Sequence, residues 1–172
     1  MSKIRIKDIV PYIVIVLIVA AILFFIKPII VNGSSMIPTL HNKDYILLSR
    51  QAYNLSEPKH GQIVVFPVAD GELYIKRVIG LPGEVVEIRD GNVYVDGKVT
   101  DQSFTEDNAT NGDMKVKVPQ GQLFVMGDNR FNSEDSRYIG TIRIDDVKGV
   151  VLLRVWPFNQ KHTGFTEKDL LE

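Results

Sequence analysis

The sequence predicts a mostly β protein, built of antiparallel sheets behind one N-terminal transmembrane helix. Three features point that way. A charge-free apolar run, "IVPYIVIVLIVAAILFFI", covers Ile9 to Ile26. From Tyr45 onward, short β-branched and aromatic runs alternate with turn residues, and no long stretch carries the 3.6-residue period of a helix. The 172 residues are 45% hydrophobic, enough for the core of one domain plus an extra segment.

The apolar run comes first. At ~1.5 Å per residue it makes a helix of roughly 27 Å, against a hydrocarbon core of about 30 Å. Pro11 sits in its first turn, where the missing N–H does no harm, and Lys27-Pro28 closes it. Lys3, Arg5 and Lys7 precede the run, and the next cation after Lys27 is Lys43. The positive-inside rule then puts residues 1–8 in the cytoplasm, 9–26 in the membrane and 28–172 outside. A cleaved secretory signal peptide competes with this reading, but the run exceeds the ~7 to 15 residues of such segments and no Ala-x-Ala follows it. A buried core helix fits poorly, because the run is apolar on every face.

Beyond it, the candidate strands in order are "YILLSR", "QIVVFP", "ELYIKRVIG", "EVVEIR", "NVYV", "QLFVM" and "GVVLLRVW". Leu81-Pro82-Gly83 suits a type II turn, with Pro fixing the first central residue and Gly supplying positive φ at the second. Asp90-Gly91 and Asp96-Gly97 read as two-residue hairpin loops, which makes Glu84 to Thr100 an antiparallel meander. Residues 101–114, "DQSFTEDNATNGDM", are polar and rich in turn formers, so a mobile loop or the tip of an inserted hairpin is expected there, without catalysis. The tail, "KHTGFTEKDLLE", suits a short exposed helix.

Composition removes several classes of function. A net charge of −1, with scattered Lys and Arg, offers no field for nucleic acid. The chain has no cysteine, and so no disulfide, thiolate nucleophile or cysteine-held zinc.

A serine hydrolase needs a base beside its hydroxyl, because serine is a weak nucleophile at its free pKa. His41, His60 and His162 are the histidines available, and none lies beside the Asp-rich segment. The pattern G-x-S-x-G fails at Gly33-Ser34-Ser35-Met36-Ile37, which lacks the closing glycine. Serine with lysine is the other option. Ser56-Glu57-Pro58-Lys59 matches S-x-x-K but lacks the motifs that accompany it in penicillin-binding folds. Lys76 lies in "ELYIKRVIG", where strand alternation sends its side chain opposite to that of Arg77, so that one cation points inward while its neighbour stays wet. Burial would lower its pKa from about 10.4 toward 8, as a lysine base requires. Pattern alone leaves open an exposed strand lysine.

The blocks "GSSMIPTL", "YIKRVIGLPGE" and "GDNRFNSEDSRYIG", in this order behind an apolar N-terminal run and ahead of "RVWPF", resemble the bacterial type I signal peptidases, a Ser-Lys peptidase family. The small size and single anchor resemble its Gram-positive branch. The resemblance implies an all-β catalytic domain and a membrane-bound serine endopeptidase that removes signal peptides from exported preproteins, with no metal or cofactor. It places the nucleophile at Ser35, before Met36, and the base at Lys76. Ser133 matches the hydroxyl that orients the amine; Asp128, Arg130, Asp135 and Arg137 match charged residues that hold the surrounding loop. Gly33 stands where some members carry an oxyanion-binding hydroxyl, so that donor is absent. Phe131 stands where many members have a polar residue. Met36 is expected to line the pockets for small substrate side chains, and Trp156 and Phe158 to belong to an apolar surface resting on the lipid bilayer, although core packing suits Trp156 equally. Implied partners are signal peptides and lipid. The alternative is a catalytically silent, membrane-tethered homologue acting as a binding protein.

Overall fold

The computed structural model describes residues 6–69, 71–105 and 109–157. Phe158 and the tail expected as a short helix lie outside the described residues. Helix α1, Ile6–Phe25, runs directly into strand β1, Ile26–Ile30. The helix stops one residue before the apolar run ends, and Pro28 lies within β1. β1 pairs antiparallel with β2, Tyr45–Ser49, and tolerates Pro28 because it is an edge strand. Among the described residues no helix is long and apolar enough to cross a membrane.

Helix α2, Ala52–Leu55, follows β2. Then come β3, Ile63–Pro67, β4, Leu73–Gly80, β5, Val85–Arg89, and β6, Asn92–Val95. β7, Lys98–Val99, β8, Met114–Lys117, and β9, Gln122–Met126, continue the chain, followed by α3, Ser136–Ile139, β10, Ile142–Arg143, and β11, Gly149–Trp156. The seven strands read from the sequence all form. β1, β8 and β10 are additions: β1 is hidden at the end of the apolar run, β8 begins inside the segment read as a loop or hairpin tip, and β10 is too short for a two-residue period to declare itself.

The strands make a seven-stranded sheet, ordered β1-β2-β11-β3-β4-β9-β10, and a four-stranded sheet, ordered β7-β6-β5-β8. The turn between β4 and β5 has the expected form, with Gly83 at φ +92° and the Glu84 N–H donating to the Leu81 carbonyl at 3.2 Å. Both Asp-Gly pairs close their hairpins with positive φ at each residue, so β5, β6 and β7 form the expected meander.

β4 organises the core. Its last six residues are buried, and three of them serve three different clusters. Ile75 packs with Val31, Met36, Leu40 and Ile63; Val78 packs on the other face with Phe66, Leu123 and Val125; Ile79 packs between the sheets with Val86, Ile88 and Phe124. The described residues of segment 101–114, expected as a mobile loop or the tip of an inserted hairpin, are docked rather than mobile: Gln102, Thr105 and Thr110 are buried, and Phe104 packs against the cluster between the sheets. The Gln102, Thr105 and Thr110 side chains hydrogen-bond within the segment or to Arg130, so their polarity marks a buried network rather than solvation.

Gly80 shows how tightly the sheets meet. A Cβ there would fall 2.4 Å from Val86 Cγ2 and 3.2 Å from Phe124 Cβ. Gly80→Ala should destabilise the protein by about 1–3 kcal/mol in urea unfolding. Adding Val86→Ala should recover part of the loss; a fully additive double variant would show that the two positions do not touch.

Candidate active site

Residues 31–44 form a loop between β1 and β2, and its ends are locked together. The Val31 N–H donates to the Asp44 carbonyl and the Lys43 N–H to the Val31 carbonyl, both at 2.8 Å. The buried Asp44 carboxylate accepts from the His41 N–H at 2.9 Å and from Arg154 Nη1 at 3.0 Å. Val31, Met36 and Leu40 anchor the loop in the core, which leaves the serines between them facing a cleft.

Lys76, on β4, reaches this loop. Its Nζ lies 2.8 Å from Ser35 Oγ, and the residue is 3% exposed. Burial pushes its pKa down from 10.5 to about 8, against the opposing pull of the Asp135, Glu134 and Asp128 carboxylates. Ser34 is engaged elsewhere: its Oγ accepts from Asn132 Nδ2 at 3.0 Å and its carbonyl from Asn129 Nδ2 at 3.3 Å. The Asn129 N–H donates to the Ser35 carbonyl at 3.0 Å, so the segment after β9 clamps the serine loop from above. Of the two serines, Ser35 is the one whose hydroxyl contacts Lys76.

Arg77 corrects the expectation of a wet neighbour. It is buried, 7% exposed, with Nε and Nη2 on the two Asp128 oxygens at 2.8 and 2.7 Å and Nη1 on the Gly61 carbonyl at 3.0 Å. Thr39, from the serine loop, donates to the same carboxylate. Alternation separates the two cations correctly, but a second layer covers Arg77 as well. Phe104 stacks on it, 4.2 Å from guanidinium carbon to ring centroid.

The other charged residues hold the loop after β9. Arg130 donates to the Gly127 carbonyl at 3.1 Å, to Gln102 Oε1 at 2.7 Å and to Thr110 Oγ1. Asp135 caps α3, accepts from the Gly127 N–H at 2.9 Å and pairs with Arg137 at 2.8 Å. Ser133 Oγ is buried and has no hydrogen-bond partner among the described residues, so it is not bonded to Lys76. It lies close to the Ser35 backbone all the same: a Cβ on Gly127 would fall 2.2 Å from Ser133 Oγ and 2.6 Å from the Ser35 carbonyl oxygen. Gly33 sits at φ +102°, which side-chain-bearing residues rarely adopt, so the missing hydroxyl there has a backbone cause.

A cleft of about 600 Å³ runs between the serine loop and the Leu73–Lys76 half of β4. Met36 lines it although the residue is only 2% exposed, so it serves cleft and core together. β9 pairs with β4 only from Arg77 to Gly80, so the half beside the cleft lacks that neighbour. Trp156, on β11, is 53% exposed, which removes core packing as its role.

The profile of the family described as "Signal peptidase, peptidase S26" matches residues 5–156. The chain belongs to this family. It is 36% identical to "Signal peptidase I" of Bacillus caldolyticus over 87% of this chain and 91% of that one, and 38% identical to "Signal peptidase I T" of Bacillus subtilis (strain 168) over 80% and 77%. A crystal structure of a signal peptidase I from Enterococcus faecalis V583 has 33% sequence identity and a TM-score of 0.49, over 56% of this chain and 98% of that one. The S26 membership makes the chain a serine-type peptidase.

Residues that the motifs did not single out complete this peptidase site: Thr39, Tyr74, Phe104, Asn129, Asn132 and Glu134. Tyr74 had a signal, since it shares the Lys76 face of β4 by alternation. Phe104 had a weaker one, as a lone aromatic in a polar segment.

The Lys76 environment gives a paired prediction. Peptidase activity should rise with pH and level off above about 8, where the amine is neutral. The folded pKa lies below the unfolded value of 10.5, so burial of the charged amine costs about 3 kcal/mol below pH 8, a cost relieved as pH rises from 8 toward 10.5. Lys76→Met should therefore be inactive yet more stable at pH 7, by about 1–3 kcal/mol in urea unfolding. A less stable Lys76→Met would show that the amine carries no burial cost.

Proposed function

We propose that the chain is a membrane-bound serine endopeptidase that removes N-terminal signal peptides from exported preproteins, with Ser35 as nucleophile and Lys76 as base. The observation that carries this is the 2.8 Å contact between Ser35 Oγ and a buried lysine amine at a cleft. Ser35 Oγ attacks the scissile carbonyl and its proton passes to neutral Lys76 Nζ. The ammonium then protonates the leaving amine, and water, deprotonated by the same lysine, releases the signal peptide from the acyl-enzyme. The Ser35 N–H is the backbone donor for the oxyanion. Ser133, with its unsatisfied hydroxyl near the nucleophile, orients the amine as the reaction proceeds. A silent binding protein would have no need of a lysine desolvated against a serine.

The substrate adds as an extended segment along Leu73–Lys76, where β4 lacks the β9 neighbour. Small side chains at the first and third positions before the cut enter the apolar side of the cleft, formed by Ile29, Val31, Met36 and Ile75.

The membrane reading has its own support. The side chains from Ile9 to Phe25 are exposed, and a helix apolar on all faces is poorly suited to water. Ile30, Tyr45 and Trp156 stand in cross-strand register at the same end of the large sheet, all exposed, with Leu152 and Leu153 on the same strand as Trp156. This surface rests on the bilayer beside the anchor, with residues 28–172 outside the cell and the N-terminus in the cytoplasm.

The decisive experiment is cleavage of a preprotein by the detergent-solubilised chain. Ser35→Ala should lower the rate by at least about a thousand-fold, and Ser34→Ala, which loses the Asn132 contact, by less than about ten-fold. The reverse ranking would exchange their roles. In intact spheroplasts, added protease should digest residues 28–172; full protection of that domain would overturn the topology.

A further inference from the structure

The two sides of the cleft differ in chemistry. Ile75 and Tyr74 are neighbours on β4 and face opposite ways, Ile75 toward the apolar side and Tyr74 toward the segment after β9. The Tyr74 hydroxyl donates to Glu134 Oε2 at 2.7 Å, and Lys76 Nζ lies 4.9 Å from the Tyr74 ring centroid. Glu134 is exposed and lines the cleft with Tyr74 and Asn132. A carboxylate is thus tied, through one tyrosine, at a fixed place beside the base. One of its acceptor sites is occupied, and a carboxylate offers about four.

An extended peptide in this cleft turns successive side chains to opposite sides. On the peptidase reading above, the first and third residues before the cut enter the apolar side. The second residue then faces Tyr74 and Glu134. We infer that Glu134 is a specificity-determining residue that reads the second substrate position before the cut, favouring Lys or Arg there and disfavouring Asp or Glu. The tyrosine contact orders the carboxylate beforehand, so the substrate cation meets an acceptor already in place. Glu72 lines the same cleft but stands just before β4 begins, further from Lys76 and nearer the earlier substrate residues.

Three peptides identical except for Lys, Gln or Glu at the second position separate this from the catalytic assignment. With the wild-type full chain in detergent, kcat/KM should fall in the order Lys, Gln, Glu, with about ten-fold between the extremes at low salt and less at high salt. Glu134→Gln should compress that ratio to within about two-fold, and Glu134→Lys should invert it. Removing the carboxylate also makes Lys76 less basic, but this acts on all three peptides alike and cancels in the ratio. A Lys-to-Glu ratio unaffected by both variants, or a charge preference that follows residue 134 at a different substrate position, would overturn the inference while leaving the peptidase reading intact. Failure of the wild-type chain to cleave any of the three would overturn the peptidase reading itself.

Discussion

The site depends on keeping one lysine amine out of water and against one serine hydroxyl. A charged amine resists that placement, and its pKa falls to about 8 in response. Most of the architecture around β4 serves this end. The strand lies between β3 and β9 in the large sheet, its faces are covered by different clusters, and the serine loop closes over the amine. Without such cover the pKa would stay near 10.5, and the neutral amine with its free lone pair would be far scarcer at any pH below that value.

Burying one cation is made tolerable by neutralising the next. Arg77, adjacent in sequence, is held by both oxygens of Asp128, a geometry in which the pair's mutual attraction offsets much of its desolvation. Thr39 joins the same carboxylate, so this ion pair also fastens the serine loop to the strand that carries Lys76. At the loop's other end Asp44 and Arg154 make a second buried pair. Ser35 is therefore positioned by two fixed points, one tied to β4 and one to β11, while Met36 and Leu40 fill the space beneath.

The sequence made the long elements legible and the joints between them much less so. Strands such as β3 and β11 declare themselves by β-branched runs bounded by turns, and the Pro-Gly and Asp-Gly turns follow from backbone sterics alone. β1 was hidden because its residues continue the apolar run without a break in composition. Lys76 could be placed on a strand face, but periodicity states only that neighbours point apart; it cannot state that a second layer covers both faces, as happens at Arg77. Nor does local pattern foretell that Gln102 and Thr110, polar residues in a turn-rich segment, grip a buried arginine, or that Asn132 occupies the hydroxyl of Ser34. These contacts join residues far apart in the chain and leave no local signature.

The register of β4 against β9 explains how one strand serves both rigidity and access. From Arg77 to Gly80 the strand has neighbours on both edges; from Leu73 to Lys76 it has β3 on one edge and the cleft on the other. Lys76 is the last residue before pairing with β9 begins. Its backbone is thus fixed by the ladder that starts at the next residue, while its side chain stays within reach of whatever lies along the free half. Moved toward Gly80, a lysine would be enclosed by β9 and the small sheet. Moved toward Leu73, it would gain solvent and recover its charge. The position of Lys76 is the one on this strand where a neutral amine and an accessible substrate are compatible.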